Sequence, residues 1–148
     1  MDSAHALAVG RLDPPLCDYG NIKEHIDTEK VRWTCPDGVL TMTTYPRVPG
    51  SNALELSSEP YVKTCIERLL ADITHQIDEM DRAPFVLHDL YRGGWAKENY
   101  QVVLCFLKAC GLLEPARPRK NRAVDSSVHL SAMSLYHSLH EEWINDGN

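Results

Sequence analysis

Val103-Leu104-Cys105-Phe106-Leu107-Lys108-Ala109-Cys110-Gly111-Leu112-Leu113-Glu114 is the stretch that decides the fold. Up to Cys110 it is apolar apart from Lys108 and continues a pattern that begins near Lys97, which predicts a helix over Lys97–Cys110. Gly111 stands where a helix commonly ends in a left-handed residue, and Leu112-Leu113-Glu114 then leaves as a strand. A chain that passes from helix to strand at one glycine reverses there.

Downstream, Pro115-Ala116-Arg117-Pro118-Arg119-Lys120-Asn121-Arg122 is a basic loop, followed by a second apolar stretch from Ala123-Val124 through Val128-His129-Leu130. Two short strands around a basic loop are expected. The chain then closes with a helix capped by Ser131, with Met133, Tyr136, Leu139 or His140, and Trp143 at helical spacing. Upstream, Ser57 or Ser58 serves as a cap and Pro60 as a first-turn residue. Val62, Cys65, Ile66, Leu69, Leu70, Ile73, Ile77 and Met80 follow at three- and four-residue spacing. That spacing predicts an amphipathic helix of about five turns, ended by Asp81 to Pro84. Phe85 to Tyr91 reads as a short second helix stopped by Gly93-Gly94.

Before Pro60, prolines and glycines are dense, with loops at Asp13-Pro14-Pro15 and from Tyr45-Pro46 to Pro49-Gly50. One hairpin stands out: Val31 to Cys35, the turn Pro36-Asp37-Gly38, then Val39 to Tyr45, with β-branched and aromatic flanks. Asn21 to Lys30, with Ile22 and Ile26 four apart, is read as a short helix. The fold class is therefore α+β, mainly helical: an N-terminal hairpin arm over residues 1–57, a helical core with a strand pair over 58–130, and a C-terminal helix over 131–148 packed on that core.

The 148 residues carry 15 Lys+Arg against 21 Asp+Glu, a formal charge of -6, and the parts on either side of Pro60 are each acidic. With 43% hydrophobic residues the chain can bury a core, which excludes a disordered tail. Its longest strictly apolar run, Val102 to Leu107, is far shorter than the roughly 20 residues that cross a bilayer. Asp2 and His5 stand where a secretory leader would carry Lys or Arg, so no membrane or secretory segment is expected. Five cysteines, an odd number in a chain that needs no staples, indicate reduced thiols and an intracellular setting.

Helix, short helix, glycine turn, helix, strand, basic loop, strand is also the order of a winged helix. Residues of about Glu59 to Leu130 resemble that superfamily, most closely at Val103 to Glu114, where many members end their third helix in a similar apolar stretch, a glycine and a strand. The resemblance implies a winged-helix core. It also implies a choice, because DNA-binding members lay the third helix in the major groove beside a basic wing, and other members use the same surfaces to bind protein.

The residues speak for both uses. Arg117, Arg119, Lys120 and Arg122 place four cations in six positions at the expected wing tip, the concentration of charge that phosphate binding requires. Lys97 and Arg92 would assist, and a nuclear location suits that use. Against it, the helix face opposite Tyr100, Val103, Leu104 and Leu107 presents Lys97, Glu98, Gln101, Val102, Cys105 and Lys108, which is thin in base-reading side chains. Trp95, Gln101, Val102 and Cys105 are accordingly candidates for contact with a protein partner, as a subunit of a larger complex. A helix apolar on nearly all sides is covered twice, either by a partner or by this chain's own arm or last helix.

Neither a metal nor a cofactor is expected. His137 and His140 share a helical face, but no Cys-x-x-Cys pair and no closed four-ligand spacing exists. Nor does the chain contain a phosphate-loop, nucleophile-elbow or zinc-protease motif, and His88-Asp89 are helix neighbours that diverge, so no catalytic residue is assigned.

Overall fold

Pro36-Asp37-Gly38 forms the turn of the N-terminal hairpin, with Asp37 and Gly38 in the left-handed region at φ 53° and 79°. Proline fixes the entry and glycine accepts the exit without a Cβ clash. It joins β1 (Glu29–Thr34) to β2 (Val39–Pro46) in antiparallel register, Trp33 opposite Met42. Val31 and Trp33 from β1, and Leu40, Met42 and Thr44 from β2, are buried, as the two-residue period of a strand requires. The computed structural model describes residues 29–46, 59–91 and 94–146. The loop expected at Asp13-Pro14-Pro15 and nearly all of the helix expected over Asn21–Lys30 lie outside them, except that Glu29 and Lys30 belong to β1.

The long helix expected from Pro60 to Met80 is corrected to a strand and a shorter helix. β3 (Tyr61–Ile66) adds to the edge of β2, Leu40 opposite Cys65, and α1 begins only at Glu67 and runs to Glu79. Tyr61, Val62, Thr64 and Ile66 are aromatic or β-branched residues that suit a pleated strand, and β2 offers backbone partners that a first helical turn lacks. Of the stripe that suggested one helix, Cys65, Leu69, Leu70, Ile73 and Ile77 are buried, while Val62 is 55% and Ile66 42% exposed. Since β3 completes the sheet begun by the hairpin, residues on both sides of the expected boundary at 57/58 contribute to one apolar cluster, from Val31 to Leu139.

The second helix shrinks to a single 3-10 turn, Leu87–Leu90, after Phe85 has paired with Asn121 through reciprocal N–H···O bonds of 2.8 Å. α2 (Lys97–Ala109) follows, and Gly111 at φ 75° lets the Leu112 amide donate back to the Leu107 carbonyl at 2.9 Å. β4 (Leu113–Ala116) and β5 (Lys120–Ala123) form a strand pair, with Glu114 opposite Arg122 and Ala116 opposite Lys120. Both strands run into residues 115–122, which were expected as loop, so the turn shrinks to residues 117–119 and the second strand starts at Lys120 rather than Ala123.

The second strand stops at Ala123 rather than continuing to Leu130, and the last helix starts early. α3 (Val128–Asn145) has Ser127, not Ser131, at its cap position, and the Ser131 amide donates to the Ser127 carbonyl inside the first turn. The true cap comes from another helix. Asp78 on α1 accepts the Val128 and His129 amides at 2.9 and 3.1 Å, filling two of the orphan donors that open any helix. Asp125 meanwhile accepts the amide and hydroxyl of Ser127, which hold its carboxyl below the usual range. Replacing Asp78 with Ala should cost about 1–2 kcal/mol in a denaturant melt, with Asn recovering part of the loss.

α3 packs on α1 and on the hairpin turn, where the Tyr136 hydroxyl donates to the Gly38 carbonyl at 2.5 Å. The described residues thus form an α+β chain with three α-helices and two small antiparallel sheets. No helix among them is long and apolar enough to cross a membrane.

Candidate functional site

One face of α2 carries Lys97, Gln101, Cys105 and Lys108, which recur every three or four residues. Beyond the first turn, which carries Glu98 and Asn99, the rest of the helix is apolar because it is covered on its other sides. The Trp33 indole and the Phe106 ring meet in a T-shaped contact at 5.3 Å between centroids, and the Asn99 amide nitrogen donates to the Thr64 carbonyl of β3 at 2.7 Å. The second cover of the helix is therefore the three-stranded sheet of the same chain.

That burial corrects the set of partner-binding candidates. Val102 is fully buried and Cys105 is 2% exposed, so neither offers a surface to a partner. Trp95 is partly buried against the core, and Gln101 lines an opening whose floor includes the buried Cys105. Arg92 lies outside the described residues.

The opening is a groove of about 820 Å³ between α2 and the β4–β5 hairpin. Val86, Leu87, Leu104 and Cys105 supply apolar lining, and Gln101 and Asn121 supply amides. Its cations are Lys108 on the helix and Arg117, Arg119 and Lys120 at the hairpin tip; no lining residue is acidic. Arg117 and Arg119 are exposed in the turn between the strands, and Arg119 adopts φ 58° there. No ion pair engages Arg117, Arg119 or Lys120 among the described residues. Three of the four cations of residues 117–122 thus line one groove with the helix, while Lys97 sits one helical turn beyond Gln101 on the same face.

Arg122 stands apart. Its Nε and Nη2 donate to Glu114 Oε2 at 2.9 and 2.5 Å, and Arg82 approaches the same oxygen at 3.9 Å. Register explains the pairing, because residues directly opposite on an antiparallel pair bring their side chains together. Lys108 is the groove cation that sequence reasoning did not assign to phosphate; its signal was the spacing from Lys97 and Gln101.

No family model, curated protein or solved structure matches this chain.

Burial pushes the Cys35 thiol up from 9.0 to about 11 and the Cys65 thiol to about 12, and raises Cys110 as well, so these sulfurs are poor nucleophiles at neutral pH. Because folding raises their pKa values, the thiols contribute full stability below pH 9.0 and lose it as the pH climbs toward 11 and 12. The melting temperature should therefore fall between those values, and Cys35 and Cys65 should resist iodoacetamide at pH 8.5 until the chain is unfolded. His137 faces Glu67 at 3.8 Å and His140 stacks on Trp143, and among the described residues no three His, Cys, Asp or Glu side chains gather as a metal site would need. Asp89 accepts the Val86 amide at 2.9 Å and so caps the 3-10 turn.

Proposed function

We propose that the helices and hairpin over residues 67–123 act as a winged helix that associates with nucleic acid, gripping the phosphate backbone without catalysing a reaction. One observation carries the reading: Lys108, Arg117, Arg119 and Lys120 line one groove with no acidic residue among them, in a chain whose net charge is -6. Segregating positive charge against an unfavourable average is what phosphate contact demands, since each neutralised phosphate releases counterions. The groove lining holds no aromatic side chain on which unstacked bases would lie, which favours duplex over single strand. With Gln101 and Asn121 as its only amides, base readout is slight and binding is largely indifferent to sequence. An intracellular, nuclear setting and membership of a larger assembly accompany this reading.

Fluorescence anisotropy with a mixed-sequence DNA duplex tests it. Affinity should fall steeply between about 50 and 200 mM salt and change little with base sequence. A chain that ignores duplex at the lower salt would refute the proposal.

The second reading, a protein-binding subunit without nucleic-acid contact, rests on a different surface. Tyr61, Val62 and Ile66 expose 43%, 55% and 42% of their area on β3. Association with a protein partner that survives neutralisation of the wing would favour it.

A further inference from the structure

Strand alternation puts two cross-strand pairs on one face of the β4–β5 hairpin: Ala116 with Lys120, both lining the groove, and Glu114 with Arg122, the next pair toward the hairpin base. Successive residues on one strand face lie about 7 Å apart, so the Arg122 guanidinium starts within side-chain reach of the groove rim. It is not buried there. The Arg122 side chain is 40% exposed and that of Glu114 35% exposed. Arg122 does not line the groove as its three neighbours do, and what holds it back is its counterion rather than burial. We infer that Glu114 sets the cationic strength of the groove, by holding Arg122 away from the phosphates that Arg117, Arg119 and Lys120 contact.

The inference rests on the duplex-binding reading and adds a specificity device to it. A phosphate that draws Arg122 into contact must leave the Glu114 carboxylate with Arg82 alone, at 3.9 Å, as partner. Glu114 thereby lowers affinity for every polyanion by one phosphate interaction. It also leaves the hairpin electrically balanced at its base and cationic only at its tip. Charge at the tip reaches one backbone strand, whereas charge along the whole face would reach a broader anionic surface.

Duplex titrations of the full chain test this with Glu114→Gln, Arg122→Gln, the double variant, and Glu141→Gln as a control. Glu141 is exposed on α3, which packs on α1 and the N-terminal hairpin, and its replacement changes net charge by the same amount. Glu114→Gln keeps the side-chain shape and an oxygen acceptor; it should bind about fivefold tighter near 0.1 M salt and steepen the salt slope by ~0.9, the value for one more neutralised phosphate. Arg122→Gln should cost about fivefold in the Glu114→Gln background and much less in the presence of Glu114. An equal gain from Glu141→Gln would reduce the effect to net charge and overturn the inference. So would an Arg122→Gln loss that is the same in both backgrounds. Duplex binding that vanishes on neutralising Arg117, Arg119 and Lys120 but ignores Glu114→Gln would sink the inference and spare the duplex reading, whereas a wild-type chain that does not bind sinks both.

Discussion

Neutralising Arg117, Arg119 and Lys120 together with Gln is expected to remove most of the duplex affinity and to flatten the salt dependence by roughly 2.7, at ~0.9 for each phosphate that is no longer neutralised. Affinity near 0.1 M salt should fall by at least two orders of magnitude, since each cation contributes through the counterions it displaces from the duplex. The fold should survive. Arg117 and Arg119 are exposed, Lys120 is half-buried at the strand start, and none of the three engages a carboxylate among the described residues. Surface substitutions without buried partners generally stay within about 0.5 kcal/mol. Equal melting temperatures and a collapsed salt slope would separate loss of the grip from loss of structure. A triple variant that retained the slope would move the grip elsewhere on the molecule.

Phe106→Ala should have the largest effect on stability. Phe106 is fully buried on α2 and meets Trp33 in a T-shaped contact at 5.3 Å, so its ring joins the helix to the three-stranded sheet. Truncating such a side chain removes its transfer free energy and leaves a cavity, together about 3–5 kcal/mol. That approaches the whole stability of a marginal domain, which is about 5–15 kcal/mol. A denaturant midpoint lowered accordingly, with Trp33 fluorescence shifted toward that of exposed indole, is the expected signature. Phe106→Leu should retain most of the stability by refilling the space. A loss under 1 kcal/mol for Phe106→Ala, well short of the usual cost of such a truncation, would mean that the sheet does not depend on this ring.

The contrast between these positions bears on function. Residues that hold the site in place are apolar and lie on the covered sides of α2, whereas the polar residues that line the groove come from one helical face and the β4–β5 hairpin. The exposed cations of the groove can be exchanged without disturbing the core, and core variants away from the groove should weaken binding only through unfolding. Duplex affinity measured at a temperature where Phe106→Leu remains folded should match that of the wild-type chain.

How much was legible in the chain varies with how local the cause is. The hairpin at Pro36-Asp37-Gly38 and α2 with its glycine end follow from neighbouring residues, a turn tripeptide, a left-handed glycine and an apolar period, whereas the second strand of the basic hairpin was expected after Arg122 and forms over Lys120–Ala123. The basic cluster was equally plain, because four cations within six positions need no partner to be seen. Tyr61 to Ile66 was misread because its apolar spacing continues smoothly into α1, and only the free edge of β2 makes it a strand. The start of α3 was missed for a similar reason, since its cap, Asp78, lies on another helix fifty residues earlier in the chain.

The sequence by itself determined the elements whose conformations are settled within a turn or two, and the charge carried by the segment Arg117 to Arg122. Only the tertiary structure decided which cations act together. Glu114 and Arg122 meet through strand register, and Val102 and Cys105 are buried once the chain packs around the helix, whereas Lys108 joins Arg117, Arg119 and Lys120 because the chain reverses at Gly111. Pairing and burial are properties of distances between segments, and those distances exist only once the chain has closed on itself.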